Sequence, residues 1–225
     1  MIILAALASG GALAVWGLSW MAPSWWRPPD PRDRAIAALA DQVEQRLLEE
    51  AHKIRPASEI WTIRVREHQV NAWLSVRLPD WIAHEQQARW PEPLGTPQIH
   101  FENEGISVAI EVGAEGRPRF VVVRVVPTID DDGLRLRLDA VGLGRIPVPG
   151  EPVEALLDLL GRAAPIGLLE DPAVAETLHL LAGRRPLDPT VTLPDGRRVR
   201  LLGLRYAAGR LDLTCRTLGN AADAR

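Results

Sequence analysis

Cysteine is nearly absent from this chain: Cys215 is the only one in 225 residues. A lone thiol excludes an internal disulfide and any metal site built from several thiolates. Zinc-ligand spacing is missing too, because His52, His68, His84, His100 and His179 never fall at the intervals that place two imidazoles on one ion. No Gly-x-Ser-x-Gly elbow is present to expose a nucleophilic serine. Gly142 and Gly144 have dinucleotide-loop spacing, but Pro147 stands where the third glycine belongs. The acids of "IDDDG" lack the alternating spacing and distal glutamate of a calcium loop, so they read as a solvated hairpin turn. These absences predict a non-enzyme with no catalytic residues, no metal and no cofactor. Lysine is reduced to Lys53, and 26 basic residues against 29 acidic ones leave a net charge of −3. That balance argues against nucleic acid as a partner.

Charge is also missing from the start of the chain, where "MIILAALASGGALAVWGLSWMAPSWW" carries none. At about 1.5 Å per helical residue, Ile2 to Ala22 is long enough to cross a hydrocarbon core of about 30 Å. Trp16, Trp20, Trp25 and Trp26 crowd its far end, where indoles favour the headgroup layer, and Pro23 marks a helix stop. The rival is a cleaved signal peptide, since "ALA" at 12–14 resembles a cleavage tripeptide, although no basic n-region precedes it. A buried core helix is disfavoured by the lack of any polar face. Arg27, Arg32 and Arg34 follow the span, so a literal positive-inside count puts the body in the cytoplasm. Single N-terminal anchors often display their domain outside, and the reading adopted is a single-pass inner-membrane protein with an extracytoplasmic body. The expected organisation is an anchor at 1–26, a stiff proline spacer at 27–33, one domain at 34–219 and a tail at 220–225.

The body alternates between two periods. Ile36, Leu39, Val43, Leu47 and Ala51 recur at helical spacing opposite Asp41, Gln45, Glu49 and His52. "EIWTIRV" reads as a strand. In the next stretch Val70, Trp73, Leu74 and Leu78 form one helical face, and Trp81, Ile82 and Ala88 belong to a second short helix beyond Pro79. From 98 to 149 the period becomes two, with hairpins around Asn103 to Gly105 and at Asp132-Gly133. Leu134, Leu136 and Leu138 alternate with Arg135, Arg137 and Asp139, whereas Phe120 to Val123 is apolar on both faces and therefore predicted to be covered twice. Two short helices follow, "PVEALLDLLGRA" and "DPAVAETLHLLAG", the second with Asp171 as N-cap and Gly183 just past its end. A last antiparallel set turns at Pro194-Asp195-Gly196 and Gly209, with Leu211, Leu213 and Cys215 on one face. The predicted class is α+β: an N-terminal transmembrane helix, then a curved antiparallel sheet packed with amphipathic helices.

Two features suggest partners. Arg184, Arg185, Arg197, Arg198, Arg200, Arg205, Arg210 and Arg216 face only Asp188, Asp195 and Asp212, so the C-terminal sheet is locally basic and suits either anionic headgroups or plain solvation. The two-faced strand Phe120–Val126, beside amphipathic helices bearing tryptophans, suggests a lipid or other apolar ligand, with Trp73, Trp81, Phe120, Val122 and Val126 as candidate contacts. Anchor, spacer, helix, strand, the "HQVNAWL" helix, a meander and "GLGRIPVP" leading into "PVEALLDLL" together resemble the YpmS-like membrane-anchored bacterial proteins. More distantly they are similar to tubular lipid-binding domains. That resemblance covers roughly residues 1–165 and implies a curved sheet around an apolar channel, with no individual functional residue carried over. The expected function is a membrane-anchored protein that binds lipid or another apolar group or assists envelope assembly; the alternative is a structural subunit docking on a larger membrane complex. The expected partners are accordingly the bilayer, a lipid ligand or a membrane protein complex.

Overall fold

The computed structural model describes residues 16–56, 58–85, 90, 94–113, 118–163, 180–183, 185–193 and 195–220. The class is α+β, with two antiparallel sheets in place of the single curved sheet expected. Helix α1 (Arg34–His52) starts where Asp33 accepts a 2.8 Å bond from the Ala35 N–H. Strand β1 (Ile60–Arg66) alternates exposed and half-buried positions and leads directly into α2 (Glu67–Val76). Helix α3 (Leu78–Glu85) carries Pro79 in its first turn, where the missing N–H costs nothing. A hairpin of β2 (Gln98–Glu102) and β3 (Gly105–Val112) continues into β4 (Arg119–Asp130), β5 (Gly133–Leu143) and the two-residue β6 (Ile146–Pro147). After α4 (Pro152–Ala163) come β7 (Thr190–Thr192), β8 (Arg197–Ala207) and β9 (Arg210–Asn220).

The meander builds a five-stranded sheet, β2-β3-β4-β5-β6, and the C-terminal strands recruit β1 into a second one, β1-β9-β8-β7. The expectation of one sheet fails because Trp61 pairs with Cys215 and Ile63 with Leu213. Partners that far apart in the chain leave no trace in a local period.

In the five-stranded sheet, Val121, Val125, Leu138 and Val141 form the core with Ala155 and Leu156 of α4. A bulge sets this phase: Arg124 pairs with Ala140 but Val125 with Leu138, which leaves Asp139 unpaired. The extra residue turns Val141 back to the face occupied by Leu134, Leu136 and Leu138. The opposite face is covered as well, by residues 16–26. Trp26 meets Phe120 edge-on at 5.2 Å, Trp25 stacks on His100 at 5.2 Å, and the Arg119 guanidinium lies 4.1 Å from the Trp20 ring. The two-faced burial predicted at Phe120 to Val123 is thus real, with α4 on one side and this segment on the other.

Trp25 and Trp26 were expected in the headgroup layer. Both indoles instead pack on the sheet, against His100 and Phe120, so that assignment is corrected. Of the expected membrane span, residues 1–15 lie outside the described residues; 16–19 form a helical turn, and no helix among the described residues is long and apolar enough to cross a membrane. Most of the helix expected at 171–183 also lies outside them, although Gly183 has the left-handed φ of +66° that suits its place beyond a helix end.

Helix α2 seals the outer edge of β2. The Asn71 amide donates to the Ile99 carbonyl at 2.9 Å and its oxygen accepts the Ile99 N–H at 2.8 Å. The Glu67 carboxylate takes the Phe101 N–H and contacts His100 Nδ1, both at 2.9 Å. These side chains replace a neighbouring strand, which is why this edge carries no open backbone groups at Ile99 and Phe101.

Candidate functional site

The outer edge of β1 is treated differently. Thr217 donates to the Glu59 carbonyl at 3.1 Å and Glu67 to the Gly209 carbonyl at 3.0 Å, just beyond the two ends of the β1–β9 ladder. Bonded and non-bonded pairs alternate in an antiparallel ladder. The odd-numbered residues of β1 therefore bond to β9, and the backbone groups of Ile60, Thr62 and Arg64 point away from it. The next group on that side, the Arg66 N–H, is taken by Gln69 Oε1 at 3.3 Å, which agrees with this phase.

A groove of about 270 Å³ runs along this edge. One wall is α1, whose Val43, Arg46, Leu47 and Glu50 fall at i, i+3, i+4 and i+7 and so share one helical face. The floor is Val70 and Trp73 of α2, and the other wall is Thr62 to Val65. A second hollow of about 250 Å³ shares Leu47 and Ile63 and extends under α1 across the four-stranded sheet, over Trp61, Val199, Leu213 and Cys215. Leu47 remains 45 % exposed between the two hollows and Val191 61 % exposed at the rim of the second. Arg55 closes one end. Its guanidinium lies 3.8 Å from the centre of the Trp61 ring and pairs with Glu50, while Nη1 donates to the Glu50 carbonyl at 2.6 Å.

The groove walls are mainly apolar side chains. Burial pushes the Cys215 thiol above its ordinary pKa, against a weaker opposing pull from Arg55, so it is held as a thiol. Among the described residues no three His, Cys, Asp or Glu side chains gather to hold a metal ion. No protein-family model, curated protein or solved structure matches the chain. The YpmS-like resemblance rests on the quoted residues alone.

The five candidate contacts do not converge. Trp73 lines the groove; Trp81, 46 % exposed, shares a shallower hollow with Trp73 between α1 and α3. Phe120 is buried under Trp26, and Val122 lines an open depression of about 550 Å³ beside Trp25 and Arg124 on the outer face of the five-stranded sheet. Val126 is half-buried further along the same face of β4. Sequence reasoning missed the β1 edge and the groove-facing role of Val43 and Leu47. The α1 stripe and the β1 alternation were legible, but the groove exists only because β1 is an end strand.

Proposed function

We propose that this protein is a membrane-anchored, non-catalytic binding protein that takes an apolar ligand, a lipid chain or an apolar segment of an envelope partner, into the groove between α1 and β1. The observation that supports this reading is an apolar groove between α1 and β1, bounded by Val43, Val70, Trp73 and the 45 % exposed Leu47. We place the N-terminal tether in the inner membrane, ahead of the residues that pack on the sheet, and the body outside the cytoplasm. The second reading, a structural subunit of a membrane complex, draws support from Leu48 and Ile54, which stand 53 % and 87 % exposed near the end of α1.

Native mass spectra of the full chain released from detergent micelles test the first reading. Wild type is expected to retain a stoichiometric lipid or palmitate adduct, and Leu47→Glu to lose it by more than tenfold. A clean unliganded mass from folded wild type, or equal retention by Leu47→Glu, would sink the lipid-chain form of it.

A further inference from the structure

Resting on the reading of this groove as a ligand site, we infer that its occupant is an extended peptide of alternating apolar and acidic residues, added as a fifth strand to the edge of β1 that no strand among the described residues pairs. A hydrocarbon chain filling the groove would cover the outward N–H and C=O groups of Thr62 and Arg64 without pairing them, and an unpaired buried polar group is costly. A peptide strand pairs them, and such strand addition is a general mode of recognition.

The two faces of the four-stranded sheet then dictate the peptide's side chains. Successive residues of an added strand point to opposite faces. One face carries Trp61, Ile63 and Val65 under α1, and calls for apolar residues. On the other face the register places Arg64 beside Asp212, Arg66 beside Arg210, and Arg205 on the far side of Asp212. Asp212 is almost buried and accepts from Arg64 Nε at 2.7 Å and Arg205 Nη2 at 3.3 Å, so one carboxylate serves two guanidiniums and the face stays cationic. Acidic residues at alternate positions complement that surface. The arginine-rich C-terminal sheet thereby acquires a role that solvation alone does not give it.

The probe is a fluorescein-labelled eight-residue peptide alternating valine and glutamate, added to the full chain in detergent micelles and followed by anisotropy and native mass spectrometry. Its control is the same peptide N-methylated at alternate residues, which keeps the side chains and removes the donors. The wild type is expected to bind the parent peptide one to one and the methylated form at least tenfold more weakly. Thr62→Pro deletes only an outward N–H, leaving the β1–β9 ladder intact, and should weaken peptide binding about tenfold with the near-ultraviolet circular dichroism unchanged. Arg66→Glu, at an exposed position on the cationic face, should weaken binding several-fold. Equal binding of the methylated peptide, equal binding of a valine–lysine peptide, or a concentration-dependent dimer mass would overturn the inference. A palmitate adduct sensitive to Leu47→Glu with no peptide binding would overturn it while leaving the groove as a ligand site. Loss of both would overturn both readings.

Discussion

Replacing Asn71 with alanine should uncover the edge that α2 seals. The buried Asn71 side chain makes two bonds, at 2.9 and 2.8 Å, to the carbonyl and N–H of the half-buried Ile99. Each such bond contributes about 0.5–1.5 kcal/mol net, and stranding a partner out of water adds to the loss. With water able to reach the vacated site in part, the expected destabilisation is about 2–3 kcal/mol. For a domain of this size about 1 kcal/mol corresponds to about 2–4 °C, so the melting temperature should fall by about 4–12 °C. Asn71→Asp is a sharper probe: it keeps the acceptor for the Ile99 N–H but sets a second oxygen against the Ile99 carbonyl. It should therefore be at least as damaging near neutral pH and recover toward wild type when acidified enough to protonate that carboxyl. Near-ultraviolet circular dichroism of the full chain in micelles, with Asn71→Ala and Asn71→Asp side by side, reads all three outcomes. A melting temperature within about 1 °C of wild type for the alanine variant would refute the claim that Asn71 substitutes for a strand.

Three further outcomes follow from single positions. At Gly144 (φ +62°) an added Cβ would lie 2.6 Å from the carbonyl oxygens of both Leu18 and Ser19. Gly144→Ala should release residues 16–26 from the sheet, and hydrogen exchange at the Arg145 N–H, which donates to the Leu18 carbonyl, should speed up at least tenfold; unchanged protection would refute it. The hydrogen bond from Arg64, with support from Arg205, holds the Asp212 carboxyl below its ordinary pKa. Its stabilisation is complete above the unfolded value of about 3.9 and is lost as pH falls through the lower folded value, so thermal melts between pH 5 and 2.5 should decline less steeply in Asp212→Asn. Burial pushes the Tyr206 hydroxyl up to about 12, and it donates to the Pro127 carbonyl at 3.3 Å. Tyr206 is the only tyrosine, so absorbance at phenolate wavelengths should stay flat until well above pH 10, the contribution to stability being full below about 10 and lost as pH rises through about 12.

What was legible in the sequence was local. The 3.6 period along Ile36 to Leu47 and the twofold period along Leu134 to Leu138 gave α1 and β5 their type, and Leu138 and Leu136 of β5 do face the core, whereas Leu47 of the α1 stripe stays 45 % exposed at the groove. The Asp132-Gly133 and Gly209 turns likewise sit where the glycines require. The bulge at Asp139 escaped notice because a one-residue phase change after three alternating leucines looks like the end of a pattern. The partner of Asn71 was not legible either, because it lies 28 residues away. The indoles of Trp25 and Trp26 gave no sign of choosing His100 and Phe120 over a headgroup layer, since the same apolar body and polar tip suits either place. The groove was hidden for the deepest reason: it is a property of what β1 fails to pair with, and pairing is settled by the other end of the chain.

Glu67 explains how the two sheets are held in one register. It is the residue at which β1 becomes α2, and its own N–H bonds to the Gly209 carbonyl in the β8–β9 turn, while its carboxylate bonds to His100 and the Phe101 N–H of β2. Gly209 in turn donates to the Phe101 carbonyl at 3.3 Å. A carboxylate in the first turn of a helix is favoured by the helix dipole, so this joint also stabilises α2. Trp25 stacks on the same His100 from the other side, which ties residues 16–26 through one imidazole to the joint and through the joint to β1. The covered sheet and the sheet with the open edge thus meet at a few directly bonded residues. Covering the outer face of the five-stranded sheet with residues 16–26 leaves the β1 edge untouched, so that among the described residues one sheet is engaged by the N-terminal segment and the other presents a strand paired on one side only.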